Sequence, residues 1–146
     1  MRLCHGVSVD VVQLETAMGA AVGCFERSIG IRVPRSRFAP VKTTADLLAV
    51  RSDAYVLTDD WRVVLNPERR YGVPVISLDP KYYKLIDQME PRFPDGPPSL
   101  VDCEQLTVKG DVLFGRGVAC RGAVEVANEG PDQKTVEDTV LSGPTG

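Results

Sequence analysis

The chain has 146 residues, enough for one ordinary domain or one small domain plus an appendage. Apolar residues make up 43% of it, so a packed core is expected and wholesale disorder is excluded. Seventeen Lys and Arg against 20 Asp and Glu leave a net charge of −3, which argues against a general nucleic-acid binder.

Residues 11–29 carry Leu14, Met18, Val22, Phe25 and Ile29 at spacings of three or four, which predicts a helix with one apolar stripe. Asp10 and Gln13 have the form of a capping box, and Gly30 fits the left-handed position that ends a helix. Pro34 and Pro40 exclude helix from 31–41, where Val33, Phe38 and Val41 suggest extended chain. Thr43 and Thr44 open a second helix, with Asp46 placed to support its first turn. Residues 53–57 read as its short continuation, and 58–72 as a polar surface excursion. Residues 73–77 form a short apolar strand, and Asp79-Pro80 opens a helix running to about Glu90.

Residues 91–99 hold four prolines in nine and read as a stiff linker between two domains. Beyond it, Leu106, Val112, Val118 and Val124 recur every six residues, as do Val108, Phe114, Cys120 and Val126. Two inward positions per six-residue unit are the mark of a left-handed parallel β-helix, three units to a coil. Residues 131–146 are acidic, rich in Gly, Pro and Thr, and are expected to be a flexible tail.

Chemistry has few places to reside. The cysteines at 4, 24, 103 and 120 contain no C-x-x-C pair, and His5 is the only histidine, so no metal site is expected. There is no G-x-G-x-x-G or P-loop pattern. No apolar run approaches the ~20 residues of a bilayer span, and the first residues do not read as a signal peptide, so a cytoplasmic location is expected. Charge, however, is uneven. No acidic residue lies between Glu26 and Asp46, while Arg27, Arg32, Arg35, Arg37 and Lys42 all do, as if to meet an anion.

Lys42 precedes the helix start at Thr43. Free N–H groups, the positive dipole end and one ammonium together would cradle a phosphate there. Arg35 and Arg37 alternate on an extended segment and point the same way, to bind phosphate or, more simply, to pair with carboxylates. Gln13, Glu15 and Thr16 start the first helix, where they serve as substrate contacts or, more simply, as caps.

The run QLETAMGAAVGCFERSIGIRVPRSRFAPVKTTADLL resembles a segment of the eukaryotic-type UTP–glucose-1-phosphate uridylyltransferases. The likeness continues through VPVISLDPKYYKLID and RFPDGPPSLVDCEQLTVKGDVLFGRGVACRGAVEVANEG, covering residues 10–130. The resemblance implies an α/β fold: residues 1–90 as the C-terminal part of a Rossmann-like nucleotidyltransferase domain, 91–99 as linker, 100–130 as a left-handed β-helix and 131–146 as tail. It implies the reaction UTP + glucose 1-phosphate ⇌ UDP-glucose + pyrophosphate, with Mg²⁺ as cofactor, and it makes Lys42 the catalytic phosphate contact, with Thr43, Arg35 and Arg37 beside it. The glycine-rich nucleotide loop and the uridine- and glucose-binding segments of that family have no counterpart here. The chain therefore reads as the C-terminal third of such an enzyme, from a truncated or frameshifted frame, and inactive alone. Two alternatives remain: a non-catalytic module that oligomerises or regulates through the β-helix, and, more weakly, a hexapeptide-repeat acyltransferase, which would need more coils and a histidine near the repeats.

Overall fold

The computed structural model describes residues 18–34 and 37–145. The chain divides into two units, residues 1–33 and 34–146. In the first, the described residues form a 3₁₀ helix at Met18–Cys24 and a turn at 25–27, not an α-helix reaching Ile29. Two features explain the difference. Gly19 and Gly23 weaken any helix there. The expected apolar stripe also finds no cover: Phe25 is 69% and Ile29 86% exposed, and short helices owe most of their stability to packing. The start of that predicted helix, with Gln13, Glu15 and Thr16, lies outside the described residues.

The second unit is mixed α/β. Helix α1 (Thr44–Arg51) begins at the expected cap. It ends at Ser52, whose backbone is extended, so the expected continuation is instead strand β1 (Tyr55–Leu57), paired antiparallel with β2 (Val63–Leu65). Three β-prone residues at 55–57 find a hairpin partner inside what reads as a polar excursion. Strand β3 (Val75–Leu78) follows, and then the helix expected from Pro80 to Glu90 is broken in two. It becomes α2 (Pro80–Tyr83) and α3 (Ile86–Met89), with extended Leu85 between them and a 3₁₀ turn at Glu90–Arg92.

The rest of the unit is a coil of parallel strands. These are β4 (Cys103–Lys109), β5 (Val112–Phe114), β6 (Ala119–Ala127), β7 (Lys134–Val136) and β8 (Val140–Thr145). One ladder runs β3-β4-β6-β8 and another β5-β7, both parallel. Leu106 lies opposite Val124 and Val108 opposite Val126, eighteen residues on, so three six-residue units complete one turn of chain. All eight residues of the two six-step series are buried.

The corner between β4 and β5 needs glycine. Gly110 has φ +77°, and a Cβ there would collide with the backbone oxygen of Asn128.

The prolines of 91–99 do not separate two bodies. Phe93 is buried, stacked on Phe114 at 5.1 Å and tilted against Tyr83 at 6.0 Å. Arg92 grips Asp111 through two hydrogen bonds of 2.9 and 3.1 Å. Ser99 pairs with Ala119, donating to Val118 and accepting from Cys120. The segment is stiff, but its one aromatic residue plugs the core. The expected flexible tail also differs. Its residues supply β7 and β8, and Val136 and Leu141 are buried. The strict step of six fails there, since Val112 pairs with Lys134 twenty-two residues on, so the repeat is invisible in sequence.

Replacing Gly110 with Ala combines a strained φ with a backbone collision. We expect Gly110→Ala to cost about 2 kcal/mol or more, read as a lowered midpoint in urea unfolding. Gly72→Ala, which has open space at its Cβ position, serves as the control.

Candidate functional site

Lys42 lines an open cleft of about 480 Å³ with Thr43, Thr44 and Ala45 from the start of α1, Ile76–Leu78 of β3, and Pro80, Tyr83 and Lys84. The α1 end is built by a reciprocal cap. The Thr43 hydroxyl oxygen accepts the Asp46 N–H at 3.2 Å. One Asp46 carboxylate oxygen accepts the Thr43 N–H (2.8 Å), the Lys42 N–H (3.0 Å) and the Thr43 hydroxyl (2.8 Å). The Thr43 hydroxyl and then the Lys42 N–H hold the Asp46 carboxyl below the usual aspartate range.

This corrects one expectation. Of the N–H groups at the helix start, those of Lys42 and Thr43 are not open to a phosphate, because Asp46 already occupies them, and its charge offsets the positive helix end. What the cleft retains is side-chain charge. The Lys42 charge is felt by the Asp46 carboxylate of the cap, and Lys42 lines the cleft. Thr43 sits on the cleft wall with its hydroxyl committed to the cap.

Besides the β3–β4 ladder, Tyr83 ties the cleft to the coil. The Thr44 hydroxyl donates to the backbone oxygen of Tyr83 (2.5 Å). The buried Tyr83 hydroxyl in turn donates to the Val112 oxygen (2.6 Å) and accepts the Val112 N–H (3.2 Å). Burial pushes the Tyr83 phenol up to about 12, so it stays neutral and keeps both bonds. The same element brings in Lys84, which lines the cleft from the α2 side. The sequence reading missed it. The signal was present in KYYK, where a helix opening at Pro80 places Lys84 just past its last turn.

Arg37 is not part of this cleft. Its N–H donates to Pro34 in a turn (3.0 Å), so the extended geometry expected for it is absent. It lines a separate cleft of about 230 Å³ with Ala39, Trp61, Arg62 and Val63. The carboxylate partner expected for it is not found among the described residues, and Arg62, its neighbour, pairs with Asp60 at 2.6 Å. Arg35 lies outside the described residues. Magnesium, implied by the family resemblance, finds no ligand set among the described residues: no three His, Cys, Asp or Glu residues gather, and Asp46 in the first turn of α1 is spent on the cap. No described helix is long and apolar enough to cross a membrane.

A model of the UTP–glucose-1-phosphate uridylyltransferase family matches residues 4–121. The UTP–glucose-1-phosphate uridylyltransferases of Solanum tuberosum and Hordeum vulgare are each 46% identical over 143 residues, covering 93% of this chain. The open and closed structures of UDP-glucose pyrophosphorylase from Leishmania major match at TM-score 0.68 and 47% identity, over 89% of this chain and 28% of theirs. The corresponding protein from Trypanosoma brucei matches at 0.67 and 45%, over 90% of this chain and 29% of its own. The chain spans about 30% of the length of the curated relatives it matches.

The cap generates a pH dependence with a definite sign. Because the folded Asp46 value is depressed, its contribution is complete above the unfolded value near pH ~4 and is lost as pH falls through the lower folded value. Carboxyl NMR should place the Asp46 midpoint below that of an unstructured aspartate. Thr43→Ala should return it toward the ordinary value and cost about 1 kcal/mol of stability.

Proposed function

The chain belongs to the UTP–glucose-1-phosphate uridylyltransferase family, and from that premise we propose that it is the phosphate-facing C-terminal part of such an enzyme, acting in the cytoplasm. The proposed reaction is UTP + glucose 1-phosphate ⇌ UDP-glucose + pyrophosphate. What carries the reading is Lys42, a cationic side chain lining an open cleft, inside the VPRSRFAPVKTTADLL block. In in-line attack by the sugar phosphate oxygen on the α-phosphorus, negative charge builds on the phosphoryl oxygens. A fixed cation beside them lowers the barrier without any proton transfer. Lys84 adds a second cation to the cleft lining and would share that load. Arg37, in its own cleft, is assigned no phosphate.

The reading extends to architecture. Eighteen residues per turn with two inward positions per six support a left-handed winding of the coil. The described residues gather no cluster of three candidate metal ligands, so no step is drawn through magnesium. The chain contains no glycine-rich phosphate loop, so the proposed reaction is assigned to the chain together with the upstream part of the enzyme.

The experiment is reconstitution. The chain alone should release no pyrophosphate from UTP and glucose 1-phosphate. Mixed with the upstream part of a relative such as the Solanum tuberosum enzyme, it should restore turnover. Lys42→Ala should then cut that turnover by roughly a hundredfold or more, and Lys84→Ala by roughly tenfold. Restored activity indifferent to position 42 would instead mark a module that only stabilises or assembles the catalyst.

A further inference from the structure

Lys42 and Lys84 line one cleft from two segments, and their backbones are held by different devices. Lys42 is held by the cap of α1: its N–H, like that of Thr43, donates to the Asp46 carboxylate. Lys84 sits at a seam. It directly follows the last residue of α2, a helix of four residues, and the chain turns extended at Leu85 just after it. So short a helix depends on contacts outside itself to keep its last turn in place.

The end of a helix leaves carbonyl oxygens without partners in the helix. Here the Thr44 hydroxyl reaches across thirty-nine residues of sequence and donates to the Tyr83 oxygen at 2.5 Å, in a part-buried setting. The cap uses the Thr43 hydroxyl, so the Thr44 hydroxyl is a separate device. Thr44 lies two residues after Lys42, and Tyr83 one residue before Lys84, so the bond joins the two segments close to both lysines. The Tyr83 ring cannot swing to compensate, because its buried hydroxyl is fixed on Val112 of the coil at 2.6 and 3.2 Å. The residue before Lys84 is therefore held at its carbonyl and at its side chain.

We propose that Thr44 is a positioning residue: its hydroxyl fixes the end of α2 and thereby sets the Lys84 charge relative to Lys42, at a spacing suited to the two phosphoryl groups of a diphosphate. The inference rests on the phosphate reading of the cleft. Two cations at a preset spacing need no rearrangement as charge grows on the phosphoryl oxygens, which is where the gain in rate arises. Thr44 acts on the phosphates only through Lys84, because Lys42 is already held by Asp46.

The test uses the reconstituted enzyme, with this chain carrying Thr44→Val, which keeps the side-chain shape and removes the hydroxyl, or Thr44→Ser, which retains a hydroxyl. Thr44→Val should lower kcat roughly tenfold and leave the KM for glucose 1-phosphate within about twofold. Thr44→Ser should recover most of the loss. In a Lys84→Ala background the same Thr44→Val change should cost less than about twofold, because the charge it places is gone. Thermal unfolding of each chain checks that the fold is kept, and Thr44→Ala carries the comparison if Thr44→Val does not fold. Turnover that needs Lys42 but ignores Thr44→Val, that Thr44→Ser fails to recover, or that falls just as far in the Lys84→Ala background would overturn the positioning role alone. No turnover on mixing, or turnover indifferent to Lys42→Ala, would overturn the phosphate reading and this inference with it.

Discussion

A strand at the end of a parallel stack exposes N–H and C=O groups on the side that has no neighbour. Strand β5 pairs with β7 alone, so Val112 must find other partners or leave two buried polar groups bare, at about 1–3 kcal/mol each. The Tyr83 hydroxyl supplies both, as donor and as acceptor. Its backbone carbonyl meanwhile receives the Thr44 hydroxyl. Asp79, at the other end of α2, repeats the pattern: its N–H donates to Val108, and its carboxylate accepts the Lys81 and Gly110 N–H groups. A four-residue helix is thus fastened to the coil at both ends. The start of α1, which carries Lys42, is fastened to that helix in turn. The position of the lysine follows from how the edge of the stack is covered.

How much of this could be read from residues alone depends on the range of the interaction. The Thr43–Asp46 cap is local, three residues apart, and was legible. The eight inward positions of the coil were also legible, because a step of six survives in the sequence wherever neighbouring turns have equal length. It fails at β7 and β8, where the loop at 128–133 lengthens the turn and hides strands inside what looks like an acidic tail. Phe93 was hidden by its neighbours: four prolines describe a stiff path but do not reveal that one side chain on it stacks on Phe114. The split of the helix after Tyr83 reflects a partner twenty-nine residues away, which no local propensity reports.

The candidate site divides along the same line. Lys42 was singled out by its place before a capped helix, and it lines a cleft. The accompanying idea of free N–H groups needs narrowing, because the carboxylate that makes the cap takes those of Lys42 and Thr43. Arg37 was grouped with Lys42 by adjacency in sequence, yet the turn at Pro34 sends it to a different cleft. Lys84 was overlooked because forty-two residues separate it from Lys42, and contacts such as Thr44–Tyr83 that bring the two segments together are not local.

The proposed role of position 42 is most directly tested by a crystal structure of this chain assembled with the upstream part of a relative and holding UDP-glucose. We predict the Lys42 Nζ within about 2.7–3.2 Å of a phosphate oxygen, with Lys84 reaching the same diphosphate. A diphosphate bound in the assembled protein with the Lys42 ammonium beyond hydrogen-bonding reach of every phosphate oxygen would contradict the account.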